Sequence, residues 1–150
     1  MRLLHARTLE LKTFVDAIPP YAMLSHCWED EEVVFTDLAD LNVAKEKKGY
    51  RKIEKTCELA LHNGFAYVWI DTCCIDKSSS AELSEAINSM FVWYKGSTQC
   101  FAYLDDVDND IAFADITDPR YKRTFPNSRW FKRAWTLQEL LAPSRIYPVL

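Results

Sequence analysis

The 150-residue chain is 49% hydrophobic and 13% aromatic, enough to fill one core and build one domain. Eighteen Lys+Arg against 22 Asp+Glu leave a net charge of −4, which speaks against a broad nucleic-acid-binding face, and three glycines with six prolines speak against disorder or a repeat array. Apolar runs far below membrane-spanning length, a start (Met1-Arg-Leu-Leu-His5) without a signal-peptide pattern, and an odd five cysteines point to a soluble cytoplasmic domain with free thiols.

Pro19-Pro20 closes an N-terminal segment, and Tyr21-Ala-Met-Leu-Ser25 then reads as a short buried strand that runs into His26-Cys27-Trp28. Val33-Val34-Phe35 is a brief strand or a loop, and residues 45–49 a solvated connection. Over residues 50–63, Ile53, Cys57, Ala60 and Leu61 share one helical face, with Gly64 placed as the C-terminal cap. Residues 65–70 are continuously apolar, β-branched and aromatic, the pattern of a strand covered on both faces. Ser79 and Glu82 form a capping box for a helix in which Leu83, Ala86, Ile87, Met90, Phe91 and Tyr94 repeat at helical spacing until Gly96.

A third strand over residues 99–104 closes at Asp105-Asp106. After a loop with Pro119 and Pro126, the pattern predicts one helix from Asn127 or Ser128 to just before Pro143. On it, Trp135 and Glu139 are separated by about 400° and stand nearly above one another, with Phe131 one turn earlier. Residues 145–150 look like a further strand cut short by the chain end, as in a fragment of a longer protein or a short family member.

Strands alternating with helices predict an α/β fold with a mainly parallel sheet, right-handed crossovers and helices on both faces. Ligands bind beyond the carboxyl ends of such strands, where this chain places Ser25 to Trp28, Asp71 to Asp76, and Asp105-Asp106. Those clusters are either a site or simply exposed strand ends. Glu139 is either a surface residue, slightly disfavoured near a helix C-terminus, or a carboxylate held in a sheltered cleft. His26 is a proton carrier or a hydrogen-bonded structural residue, and Asp71 orients a ligand or caps a turn. Cys73-Cys74 lacks the spacing of ordinary zinc sites, so no metal is assigned, and small buried thiols are expected there rather than a nucleophile.

Tyr21-Ala-Met-Leu-Ser-His-Cys-Trp28, Tyr67-Val-Trp-Ile-Asp-Thr-Cys-Cys-Ile-Asp76 and Arg133-Ala-Trp-Thr-Leu-Gln-Glu139-Leu-Leu-Ala-Pro143 resemble the three signature blocks of the fungal heterokaryon incompatibility (HET) domain. The resemblance covers essentially the whole of residues 1–150. It implies a trigger of programmed cell death in allorecognition or innate immunity. It also implies partners within a larger protein, namely a nucleotide-binding switch and repeats.

More distantly, Val68-Trp-Ile-Asp71 and Trp135-Thr-Leu-Gln-Glu139-Leu140 are similar to the TIR domain, although Thr136 stands where TIR sequences usually have Cys. That similarity implies a TIR-like, flavodoxin-like fold and NAD+ as substrate rather than cofactor, with Glu139 catalytic. Under it, Ser25, His26 and Trp28 approach the substrate, and Trp135 or Trp28 stacks on the base. Arg51 or Lys77 meets the diphosphate, and Asp71 and Asp76 orient ribose hydroxyls. The alternative it leaves open is a non-enzymatic signalling module that self-associates through exposed aromatics such as Trp93, Tyr94 and Trp130.

Overall fold

Among the described residues, six strands make one sheet: β1 (Arg2–His5), β2 (Leu11–Thr13), β3 (Tyr21–His26), β4 (Tyr67–Trp69), β5 (Gln99–Tyr103) and β6 (Ile146–Val149). The structure is a computed structural model that describes residues 1–107 and 119–149. The sheet order is β2-β1-β4-β3-β5-β6. Strands β4, β3, β5 and β6 are mutually parallel, and β1 runs antiparallel to both of its neighbours. Taken in chain order, the four parallel strands are arranged 2-1-3-4, the flavodoxin-like order. The expected mainly parallel α/β sheet is present.

The β1–β2 hairpin lies outside those expectations. Its strands are only four and three residues long, and its turn has no Asn-Gly or Asp-Gly signal. The turn is held instead by the His5 ring, whose Nδ1 accepts the Arg7 and Thr8 backbone N–H groups at 3.3 and 3.1 Å. Leu3 and Leu4 point to opposite faces, and both are fully buried, so β1 is covered on both faces of the sheet.

The β3–β4 connection carries a 3-10 turn (Phe35–Ala39), α1 (Leu41–Glu46) and α2 (Tyr50–His62); the β4–β5 connection carries α3 (Asp71–Cys74) and α4 (Ser80–Gly96). These steps cross the sheet in opposite directions, so right-handed crossovers put α2 and α4 on opposite faces. The predicted face of α2 buries Ile53, Cys57 and Ala60, and the helix stops where Gly64 takes a φ of 82°. Residues 45, 46 and 48 are exposed, as expected of a solvated connection, while Lys47 pairs with Asp37 at 2.6 Å.

Ser79 caps α4 by accepting the Glu82 N–H at 3.3 Å, but the box is half made. The Glu82 carboxylate accepts from Arg2 at 2.6 Å and from the Asp76 N–H at 2.8 Å. Along α4, Ala86 and Tyr94 are buried, whereas Ile87 and Phe91 remain 46% and 47% exposed. Trp130 and Tyr94 are buried and Trp93 partly so, which removes all three as exposed aromatics.

The largest departure from the sequence pattern is the segment expected as one helix from residue 127 or 128. It is a 3-10 turn (Arg129–Lys132), an extended Arg133 with ψ 144°, and then α6 (Thr136–Leu141). A continuous helix would put Trp130 and Glu139 roughly 180° apart. Broken at Arg133, the segment buries both, to 2% exposure each. Phe131 leaves the expected stripe and packs on Trp130 and Phe125, with ring centroids 4.9 and 5.2 Å away. Trp135 and Glu139 keep their shared turn, the Glu139 N–H bonding the Trp135 carbonyl at 3.2 Å.

Burial on the α4 face holds the Tyr21 phenol up at about 12 against its ordinary 10.0, while its hydroxyl donates to the Trp93 carbonyl at 2.5 Å. A raised folded-state pKa means the native chain keeps a proton that the unfolded chain releases, so stability falls as pH rises from about 10 to about 12. Urea denaturation across that range is expected to show this loss, and Tyr21→Phe to show a shallower one.

Candidate functional site

A cleft of about 560 Å³ opens at the carboxyl ends of β3 and β4. Trp28 and Lys77 form one wall, Leu83, Ile87 and Met90 of α4 another, and Arg133, Trp135 and Glu139 the third. Half-exposed Ile87 therefore faces this cleft rather than the core. Its size falls within the range typical of small-molecule sites.

Glu139 lies at the buried end. Its Oε2 accepts the Ser25 hydroxyl and Arg133 Nη1, the latter at 3.0 Å, and its Oε1 accepts Arg133 Nη2 at 2.6 Å. Ser25 in turn accepts the Trp130 indole N–H at 2.6 Å, and the Thr136 hydroxyl donates to the Trp130 carbonyl. Strand β3, the 3-10 turn and α6 are thus joined through one carboxylate. The fork geometry of Arg133 suits a carboxylate bidentately. Burial above all, and then the Glu139 charge, push the neighbouring Tyr94 phenol well above its ordinary range.

A second charged cluster stands across the cleft. Asp71, at the start of α3, accepts the Trp28 indole N–H at 2.8 Å and pairs with His26 Nε2 at 3.0 Å. Burial pushes its carboxyl up, but His26, Lys77 and Trp28 outweigh burial and hold it below the usual carboxylate range. The Lys77 ammonium sits 3.5 Å from the Trp28 ring centroid, a cation–π contact, and has no hydrogen-bond partner among the described residues. Burial lowers its pKa against the opposing charge of Asp71. His26 is itself buried behind Asp71, 3.8 Å from Glu32, and does not line the cleft.

Of the residues singled out from the sequence, Trp28, Asp71, Lys77, Trp135 and Glu139 line one cleft, and Ser25 and His26 support it from β3. Arg51 lies elsewhere, in a separate groove with Lys48, Lys52 and Tyr103 beyond the Arg129 side chain. Asp76 is also outside the cleft; its carboxylate accepts the Ser78 N–H at 3.0 Å and the Ser78 hydroxyl at 2.6 Å, closing a turn. Sequence reasoning missed Arg129 and Arg133. Arg129 clasps Glu29 at 2.8 Å and Asp105, bridging the loops after β3 and β5. The signal for Arg133 was its place at the head of the block that contains Glu139. All five cysteines are free and buried, and no cluster of His, Cys, Asp and Glu suited to a metal occurs among the described residues.

The family model described as heterokaryon incompatibility protein (HET) matches residues 21–125. The chain belongs to the HET family. Ser25, His26, Trp28, Asp71 and Lys77 fall within the matched HET span, and Arg133 and Glu139 lie just beyond it. The chain is also 51% identical over 131 residues to the vegetative incompatibility protein HET-E-1 of Podospora anserina. That alignment takes in 86% of this chain and 10% of the relative, so this HET domain spans about a tenth of the relative's length. No solved structure matches the chain. No helix among the described residues is long and apolar enough to cross a membrane.

Removing one partner of a buried ion pair strands the other charge. Glu139→Ala is therefore expected to lower unfolding free energy by about 3 kcal/mol in urea titrations. Lys77→Met removes a buried ammonium that has no hydrogen bond among the described residues, and is expected to leave stability unchanged or raise it.

Proposed function

We propose that this HET domain is a cell-death effector of fungal incompatibility and immune-type responses, and that its cleft takes NAD+ or a related nucleotide and cleaves the N-glycosidic bond. The observation that carries this reading is a buried glutamate at the end of a nucleotide-sized cleft with tryptophan walls and cationic side chains. Trp28 and Trp135, 54% and 47% exposed, offer flat faces for a base, and Lys77 and Arg133 offer donors for phosphate oxygens.

In the proposed reaction the C1′–N bond breaks and its electron pair passes to the pyridinium nitrogen, so nicotinamide leaves neutral. The Glu139 carboxylate stabilises the oxocarbenium-like ribose. Water adds to C1′ and releases its proton to solvent, giving ADP-ribose, nicotinamide and H+. Because the leaving group departs neutral, the scheme needs no general acid.

The matched relative's name, vegetative incompatibility protein, supports the death-effector part. Its much greater length supports reading this domain as the effector segment of a longer cytoplasmic protein with switch or repeat domains. Val92 of α4 and Leu137 and Leu141 of α6 are 65%, 66% and 70% exposed, which favours self-association. The same surface supports the second reading, a non-enzymatic module whose clustering recruits another effector.

The test is nicotinamide release from NAD+ by concentrated protein, alongside Glu139→Gln matched for folding and oligomer size. Trp135→Ala serves as a second variant, since its half-exposed side chain can be removed without opening the core. Release by the wild type, lost in Glu139→Gln and shifted to higher KM in Trp135→Ala, is the expected result. Absence of release from the wild type, even when clustering is forced by fusion to an oligomer, would overturn the enzymatic reading in favour of the scaffold.

A further inference from the structure

Glu139 as it stands is chemically silenced. A carboxylate has about four acceptor positions, and three of those on Glu139 are filled by Ser25 and the two nitrogens of Arg133. Its charge is neutralised by a guanidinium within hydrogen-bond distance. A cation developing on ribose beside it would meet Arg133 as well as the carboxylate, and the two fields oppose.

The partners of Glu139 differ in how they are held. Ser25 sits on a fully buried strand and is fastened by the Trp130 indole. Arg133 has an extended backbone between two short helical segments, and its side chain is 22% exposed and lines the cleft. Its hydrogen bonds among the described residues go to Glu139 alone. Of the other cations lining the cleft, Arg129 is engaged by Glu29 and Asp105, while Lys77 has no hydrogen-bond partner among the described residues. An entering anion therefore meets two cations able to donate, Lys77 and Arg133.

We propose that Arg133 masks Glu139, and that a nucleotide bearing a diphosphate unmasks it by drawing the guanidinium onto its phosphate oxygens. This rests on the cleft being a nucleotide site. It names the substrate class as a dinucleotide joined through a diphosphate, and it excludes a bare nucleoside. Nicotinamide riboside carries the same scissile bond and lacks the group that opens the mask. A phosphate pair matches the planar fork of arginine as well as a carboxylate does and brings more charge, so the exchange is chemically balanced. No covalent step is added by the exchange itself.

Two readouts test this separately from the reaction. The first compares nicotinamide release from NAD+ and from nicotinamide riboside, with and without inorganic pyrophosphate. The riboside is expected to be cleaved about 100-fold more slowly by the wild type. Added pyrophosphate should recover part of that rate, and Arg133→Gln should cleave the riboside without it. The second follows the Arg133 Nε–H signal by nitrogen-15 NMR, assigned by its disappearance in Arg133→Lys. It should shift with ADP-ribose and stay unmoved with adenosine.

Equal cleavage of both substrates by the wild type overturns the mask while leaving NAD+ cleavage standing. So does an Arg133 signal that ADP-ribose does not move. If no substrate is cleaved, the catalytic reading fails, and the NMR titration alone decides whether Arg133 yields to a diphosphate. Should Arg133→Gln fail to fold, Arg133→Lys keeps the charge without the fork, and it is expected to bind ADP-ribose several-fold more weakly.

Discussion

A carboxylate at 2% exposure has to be compensated, and the segment from Ser128 to Leu141 is organised around compensating the one on Glu139. An uncompensated buried charge costs several kcal/mol, more than a few residues of helix propensity can return. The residues from 128 onward accordingly give up a continuous helix. Breaking it at Arg133 brings the guanidinium back onto Glu139 and sends the Trp130 indole to Ser25. The small hydroxyl of Ser25, on the central strand β3, then serves two elements at once. Apolar packing of Trp130 with Leu104, Val107 and Cys27 completes the joint.

The same logic runs along the other strand ends. Lys52, buried on α2, donates to Glu32 and to the Cys27 carbonyl at 2.8 Å, and Glu32 lies 3.8 Å from His26, which pairs with Asp71. Arg129 joins the loops after β3 and β5 through Glu29 and Asp105. Its hydrogen bond holds Glu29 low, while burial first and Glu29 second push Asp105 up. In a flavodoxin-like order the crevice between those two strands is the topological switch point. Here Arg129 spans it, and the open cleft lies on one side of Arg129, between the loops after β3 and β4, α4 and α6. The polar clusters at the strand ends are thus both structural clasps and cleft walls.

The strands β3 to β6, together with α2 and α4, were legible because each lies within an apolar or periodic sequence run, even where, as in β4, the strand itself is only three residues long. The β1–β2 hairpin was not, since its strands are too short for a period and its turn is held by a histidine ring rather than by a turn sequence. The break at Arg133 was also hidden, because no glycine or proline stands between Pro126 and Pro143 to announce it. Local pattern favoured one helix, and the tertiary demand to bury both Trp130 and Glu139 overrode it. For the site, the residues beside strand ends could be gathered from topology alone. Which side of Arg129 each would fall on could not, and Arg51 was therefore grouped with residues it does not meet. Asp76 was misplaced for a different reason: an aspartate two residues before a serine serves a turn as readily as a ligand.

Under the proposed reaction, a carboxylate that also holds the fold together would have an energetic consequence. Releasing Arg133 from Glu139 costs a few kcal/mol, and that has to come from the ligand. In the proposed reaction the phosphates lie remote from the scissile bond, so contacts with Lys77 and Arg133 would supply it without being part of the chemistry. Binding energy used in this way appears as a weaker apparent affinity rather than as a slower chemical step. The ammonium of Lys77, which has no hydrogen bond among the described residues, would lower the cost further in the proposed complex by donating to the ligand. On these terms the ion pair that makes Glu139 tolerable in the core keeps it inert when the cleft is empty, and the strength of that one pair sets how much anion binding the site demands before it can act.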